Sequence, residues 1–274
     1  MLAIIEQIAS QLTTVYPQDE AVSMAWWIVE EETGLSRAQI ITGCKDTTFS
    51  PHMQDIINRL LHFEPIQYIF GHTLWNGLDL KVTPATLIPR PETAELVEKI
   101  TNYLLPITHC RVLDIGTGSG CIAIALKKAH PKWQVTGIDI SAEAIEVAKE
   151  NAKRNNVEVD FKVADIFNRQ SPISNLQYDI IVSNPPYICE SEKADMRPNV
   201  LNYEPATALF VPDNDPLRFY RRIAELKLGN YLFFEINEAY PNELSAMLSE
   251  LGYTDIQITN DIYGKPRIIE ARMA

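Results

Sequence analysis

Cysteine is scarce and scattered: Cys44, Cys110, Cys121 and Cys189 form no C-x-x-C pair. That spacing excludes a disulfide framework or a zinc ribbon and leaves reduced thiols, as expected of a cytoplasmic chain. The five histidines are equally dispersed, none three or four positions from another, so no metal site is expected. Long apolar runs are missing too. "CIAIAL" (121–126) is about the longest, and Glu6 interrupts an amino terminus that carries no basic leader, so neither a membrane span nor a signal peptide is expected. Positive charge is the last deficit: 24 Lys and Arg stand against 36 Asp and Glu, net −12. A chain that grips phosphates needs a basic stripe, so a nucleic-acid partner is not expected. The deficit is steepest in residues 1–70, with nine acidic and three basic side chains, a bias that suits a basic protein partner.

What is present divides at about residue 71. Before it, apolar residues recur at helical spacing (Leu2, Ile5, Ile8, Ala9, Leu12), and "DEAVSMAWWIVEEETG" ends on a capping Gly34. "SRAQIITG" and the segment opened by Ser50-Pro51 complete a small helical bundle. "TLWNGLDLKV" (73–82) reads as a hairpin turning on Asn76-Gly77, and the proline-punctuated "TPATLIPRP" leads into the helix "ETAELVEKITNYLL". From residue 110 strands and helices alternate: "CRVLDI", "WQVTGIDI", "VDFKVAD", "YDIIVSN" and "YLFFEI" are strands separated by helical segments. That rhythm predicts a parallel sheet with helices on both faces. The last strands, "DIQITND" and "RIIEARM", are joined too closely for a parallel crossover, so the final strand must run antiparallel. The expected fold is α/β: a seven-stranded, Rossmann-like methyltransferase sheet with its last strand antiparallel, preceded by a helical bundle and a β-hairpin. The expected boundaries are 1–71 for the bundle, 72–90 for hairpin and linker, and 91–274 for the methyltransferase domain.

Asp114-Ile115-Gly116-Thr117-Gly118-Ser119-Gly120 joins the first strand to its helix. Glycines here let a ligand approach the backbone and the helix N-terminus. The repeat is D-x-G-x-G-x-G; a dinucleotide fingerprint would want glycine where Cys121 stands. Asp114 suits an ammonium group better than a pyrophosphate. Asp139 ends the second strand, where a carboxylate can take two ribose hydroxyls. Asp165, Ile166 and Phe167 follow at the third, a carboxylate and apolar wall suited to an adenine. One such carboxylate would be a helix cap; three at adjacent strand ends point to S-adenosylmethionine as cofactor.

The fourth strand ends in "SNPPYI" (183–188). Proline has no N–H and fixes φ, so the strand ladder stops and carbonyls are left to face a ligand. An NH2 on an amide or an adenine is a poor nucleophile because its lone pair is conjugated. The Asn184 side-chain oxygen and the Pro185 carbonyl can accept both of its hydrogens and aim the nitrogen at a methyl donor. Tyr187 offers an aromatic face for a flat group. The corner is expected to be an amino-group methyltransferase site.

In these segments the chain resembles the release-factor glutamine N5-methyltransferases (PrmC/HemK type). "PIQYIFG", "TPATLIPRPETAELVE", "DIGTGSGCIAIAL", "VSNPPYI" and "YEPATALF" match in order and spacing over nearly the whole chain. The resemblance implies methylation of the glutamine side-chain amide in the Gly-Gly-Gln loop of peptide-chain release factors, which would be the protein partner. It carries the cofactor role onto Gly116, Thr117, Gly118, Ser119, Gly120, Asp139, Ile166 and Asn184, and the substrate role onto Asn184, Pro185, Pro186 and Tyr187. The chain departs from the family at Asn237, where glycine is usual, and at Ile166, where a bulky aromatic is common and Phe167 shares the role. A DNA adenine N6-methyltransferase would use the same corner on a flipped base but needs a basic target-recognition region. A catalytically silent adaptor should have lost part of the loop or corner; both are whole.

Overall fold

The computed structural model describes residues 1–43, 48–103, 108–168 and 177–274. Cys44 and positions 104–105 of the expected helix lie outside them. Two compact units appear: Met1–Phe70 with Pro198–Tyr203, and Gly71–Arg197 with Glu204–Ala274.

The first unit holds α1 (Leu2–Leu12), α2 (Gln18–Thr33), α3 (Arg37–Ile41), α4 (Pro51–Leu61) and α5 (Ile66–Phe70). Its boundaries follow from local chemistry. Gly34 takes the left-handed φ of 65° that stops α2, and Ser36 and Gln39 form a reciprocal capping box on α3. Ser50 caps α4 with Pro51 in its first turn. The helical stripe is buried at Ile5, Ile8, Ala9 and Leu12, while Leu2 stays exposed at the start of the helix. The helix α5 was not expected from the sequence. It lies in "PIQYIF", where the aromatic and β-branched residues carry little helical signal of their own.

The second unit opens with the hairpin β1 (His72–Trp75) and β2 (Leu78–Lys81), turning through Asn76 and Gly77 at φ 47° and 72°. Two consecutive positive φ values match the twist of the strands they join. Then come α6 (Pro91–Tyr103), β3 (Arg111–Ile115), α7 (Cys121–Ala129), β4 (Gln134–Asp139), α8 (Ala142–Arg154), β5 (Asp160–Val163) and β6 (Tyr178–Ser183). The chain continues through β7 (Ile188–Cys189), α9 (Pro198–Leu201, counted with the first unit) and β8 (Phe210–Val211). It ends with α10 (Arg218–Glu225), β9 (Gly229–Glu235), α11 (Pro241–Glu250), β10 (Tyr253–Asn260) and β11 (Pro266–Met273). β7 and β8 form a small parallel pair that alternation does not announce, since two residues carry no period.

The main sheet runs β10-β11-β9-β6-β3-β4-β5. Only β11 is reversed, antiparallel to both β9 and β10, as the short final link requires. One core layer packs Val112, Val135, Ile180 and Phe233 with α6 and α7; the other packs Leu113, Ile138, Ile181 and Phe234 with α10 and α11. β3 is therefore covered on both faces, and its neighbours lead away in opposite directions. This is a topological switch point, and ligands bind at the carboxyl ends there.

Close packing reaches the backbone at Gly137 in β4. A Cβ added there would lie 2.6 Å from two Phe161 ring carbons and 2.8 Å from Thr117 Oγ1. Gly137→Ala should therefore destabilise the protein by about 1–3 kcal/mol, as overpacking of a filled core does. The denaturant midpoint should fall at an unchanged slope; an unmoved midpoint would mean that Phe161 gives way freely.

Candidate active site

β3 pairs in parallel with β4 on one side and β6 on the other, with Ile115 opposite both Ile138 and Ser183. The Ser183 hydroxyl locks that register by donating to the Ile115 carbonyl at 2.6 Å. The next residues on the three strands are the glycine loop, the Asp139 strand end and the Asn184 corner. A cavity of about 430 Å³ opens there, within the usual range for small-molecule sites.

Most of the expected residues line it: Gly116, Thr117, Gly118, Ser119, Asp139, Asp165, Ile166, Phe167, Asn184, Pro185 and Pro186. Three are placed differently. Asp114 is fully buried beneath the loop, where Oδ2 accepts from the Thr117 hydroxyl at 2.6 Å. Gly120 starts α7 at φ 81°, and a Cβ there would crowd Phe161 at 3.0 Å, so its glycine serves the turn. Tyr187 is half-buried behind the wall, packed on the inner core, with its hydroxyl donating to Glu235.

Asp139 is held by two backbone donors, Gly118 N–H to Oδ2 and Ser141 N–H to Oδ1, both at 2.9 Å. Burial raises its pKa, and these N–H groups pull the other way. Asp165 lies two residues past the end of β5 and turns back to accept from Phe167 N–H at 2.8 Å. Ile166 is 8% exposed and Phe167 41%, one edge of the wall sealed and the other open. The Phe167 ring meets Phe219 edge-on at 5.5 Å, with the Arg218 guanidinium 5.1 Å from its centre.

The wall fits an adenosyl group bearing an amino acid. Carboxylates sit at successive strand ends beside an apolar slot, and the buried Asp114 Oδ1 has no hydrogen-bond partner under the loop. Arg90 and Arg218 are the wall's cations among the described residues. Arg90 is bound to Glu204 at 2.5 Å and Arg218 lies over two aromatic rings.

Four residues that the sequence reading gave no role hold the site together. Glu204, 6% exposed, accepts from Ile88 N–H and Arg90 and so fixes the loop through Pro89 that lines the cavity. Asn151 on α8 is fully buried; its Nδ2 donates to the Ser119 and Lys81 carbonyls, and its Oδ1 accepts from Lys81 N–H. Thr93 at the start of α6 donates to Glu235 at 2.7 Å and accepts from Asn184 Nδ2 at 3.2 Å. Asn237 explains its own departure from the family pattern, for its Nδ2 donates to the Tyr187 carbonyl at 3.1 Å. The position of Glu204 within "YEPATALF", and of Thr93 within "RPETAE", was the available signal.

A doubly wound sheet with its last strand reversed, and a glycine loop facing an Asn-Pro-Pro corner, define a methyltransferase. Residues 92–202 match the methyltransferase small domain and residues 3–71 the PrmC N-terminal domain. A release factor glutamine methyltransferase of Bacteroides thetaiotaomicron is 45% identical over 273 residues, 96% of this chain and 97% of that one. One of Flavobacterium psychrophilum is 40% identical over 96% of both chains. Among solved structures, the hMettl16 catalytic domain in complex with the MAT2A 3'UTR hairpin 6 shares the fold, with a TM-score of 0.58 at 19% identity over 84% of each chain. The chain belongs to the release factor glutamine methyltransferase family. It is thus a methyltransferase whose methyl donor is S-adenosylmethionine. No described helix is long and apolar enough to cross a membrane, and no described residues cluster as metal ligands.

Asp114 carries a consequence for stability. Burial, with a smaller push from the Asp139 charge, raises its carboxyl to about 7, while the Thr117 hydroxyl and the Ala123 amide pull it down. A raised folded-state value means that its contribution is fully present below the unfolded value near 3.8 and is lost as the pH rises to about 7. Without cofactor, the unfolding free energy of the wild type should therefore fall across that window relative to Asp114→Asn, which cannot ionise. Denaturant titrations at several pH values check this; parallel curves for the two proteins would contradict it.

Proposed function

We propose that the chain transfers a methyl group to the side-chain amide N5 of the glutamine in the Gly-Gly-Gln motif of peptide-chain release factors. The observation that carries this reading is the placement of Asn184 and Pro185 on the cavity wall next to the glycine loop. S-adenosylmethionine, when bound, supplies an electrophilic methyl on a sulfonium centre. Asp139 would bind the ribose, Asp165, Ile166 and Phe167 would hold the adenine, and Gly116 to Gly120 would let the cofactor approach the backbone. Asp114 would act from beneath the loop, as a negative charge attracting the ammonium and as the anchor of Thr117.

The substrate amide is conjugated and planar, so its nitrogen needs help. Asn184 Oδ1 and the Pro185 carbonyl would accept its two hydrogens, orient the nitrogen in line with the donor methyl and stabilise positive charge as the N–C bond forms. The bound cofactor would supply the methyl with cleavage of its C–S bond, the electron pair staying on sulfur, and the surplus amide proton would leave to water. Tyr187 and Pro186 would bound the substrate, with Tyr187 acting from behind the wall. The helical unit would dock the release factor, because one glutamine amide offers too little surface for selection and the acidic surplus of residues 1–70 favours a basic face.

The test supplies labelled cofactor with a release factor or with plasmid DNA and maps the methylated atom by mass spectrometry. Label on the Gly-Gly-Gln glutamine is expected; label on DNA adenine would contradict the reading. Asn184→Ala should lower turnover by on the order of 10²–10³ while the protein stays folded. Near-wild-type turnover would remove Asn184 from the chemistry. Deleting residues 1–70, provided the remainder folds, should raise KM for the intact release factor and leave cofactor affinity unchanged. An unchanged kcat/KM would restrict the helical unit to a structural part.

A further inference from the structure

Asn184 can serve as an acceptor only if its amide is turned the right way, since a rotation of 180° replaces Oδ1 with an NH2 group. The two ends of an amide have almost the same shape, so packing alone does not choose between them. Hydrogen bonds do.

The chain of bonds that starts at Asn184 and passes through Thr93, which also lines the cavity, is directional. Glu235, 1% exposed at the end of β9, receives one donor on each carboxylate oxygen: Thr93 Oγ1 on Oε2 at 2.7 Å and the Tyr187 hydroxyl on Oε1 at 3.2 Å. An ionised carboxylate can only accept. While Glu235 is ionised, the single Thr93 proton is committed to it and the Thr93 oxygen is left to accept. It accepts from Asn184 Nδ2 at 3.2 Å. The opposite orientation would set the amide oxygen against a hydroxyl oxygen that has no proton to give. With Nδ2 fixed, Oδ1 makes no hydrogen bond to any described residue and stays available to a ligand in the cavity.

We propose that Thr93 and Glu235 are positioning residues for the transfer, a relay that holds the Asn184 amide with its oxygen toward the substrate nitrogen. Through Tyr187 the same carboxylate steadies both ends of the Asn-Pro-Pro-Tyr corner. The relay rests on the glutamine-amide reading above. Its polarity depends on Glu235 being ionised: a protonated Glu235 could donate to Thr93, which could then donate to Asn184 and draw the amide oxygen away from the cavity. Burial pushes the Glu235 carboxyl up and the Glu92 charge adds to that; Thr93, Arg267 and Tyr187 pull it down. Tyr220 donates to the Glu235 backbone carbonyl, and the Glu235 charge is felt by the Cys121 thiol.

The test compares full-length Thr93→Val, Thr93→Ser and Glu235→Gln with the wild type on a release factor at saturating cofactor. Turnover, cofactor affinity by calorimetry and melting temperature are read for each. Thr93→Val should lose about tenfold or more in kcat, the scale of a misaligned reacting group, with cofactor affinity unchanged. Thr93→Ser should restore most of that rate. In the wild type, kcat should fall on the acid side as Glu235 protonates, and that limb should be absent from Glu235→Gln, which offers one acceptor to two donors. Wild-type turnover by Thr93→Val overturns the relay alone, and so does an equal loss in Thr93→Ser, which would mark the effect as packing. If Glu235→Gln does not fold, the two Thr93 variants carry the comparison. A wild type that methylates no release-factor glutamine overturns the underlying reading, and the relay with it.

Discussion

The parallel pairing of β3 with β6 places everything else. With Ile115 opposite Ser183, and the Ser183 hydroxyl donating to the Ile115 carbonyl, the glycine loop and the Asn-Pro-Pro corner must emerge side by side. A slip of one residue would turn every side chain of β6 to the other face and exchange the two core layers. That slip is opposed by burial, since Ile180, Ile181, Val182 and Ser183 are all essentially inaccessible. Close packing on both faces of one short strand, together with the Ser183 bond, thereby sets where the amide stands relative to the glycine loop.

Around that pairing lies a set of buried polar groups, each accepting or donating more than once. Glu204 fixes the loop through Pro89, Asn151 joins the hairpin to the glycine loop, and Glu235 receives Thr93 and Tyr187. Buried polar groups of this kind cost free energy when left unpaired and rigidify their surroundings when satisfied. Their distribution follows the cavity. Its rim and back are held by hydrogen bonds, which have direction, while the two layers that pack on the sheet are built from apolar side chains. Asp114 Oδ1 has no such partner; it is a buried acceptor under the glycine loop, where a cationic ligand would approach.

The succession of strands along the chain, the reversed last strand, the hairpin turn and the glycine loop were all legible in the sequence, because each depends on local period, a positive φ or the length of a link. Asn184 and Asp139 were legible as well, since strand ends in this topology converge. What could not be read were partners distant along the chain. Thr93 and Glu235 lie 142 residues apart and Ile88 and Glu204 lie 116 apart, and neither pairing leaves a periodic trace. Depth was equally hidden: Asp114 and Asp139 look alike as strand-end carboxylates, yet one is sealed under the loop and the other lines the cavity. Tyr187 looks like a stacking surface in the sequence, whereas in the fold its hydroxyl is spent on Glu235.

The central claim is that two fixed acceptors, Asn184 Oδ1 and the Pro185 carbonyl, hold the reacting nitrogen. The most direct measurement is a crystal structure of the protein with S-adenosylhomocysteine and a release factor whose Gly-Gly-Gln glutamine occupies the cavity. The account predicts the glutamine amide nitrogen within hydrogen-bond distance of both acceptors, with Asn184 Nδ2 still on Thr93. A glutamine nitrogen bound by other groups, or an Asn184 that turns its NH2 toward the substrate, would contradict it.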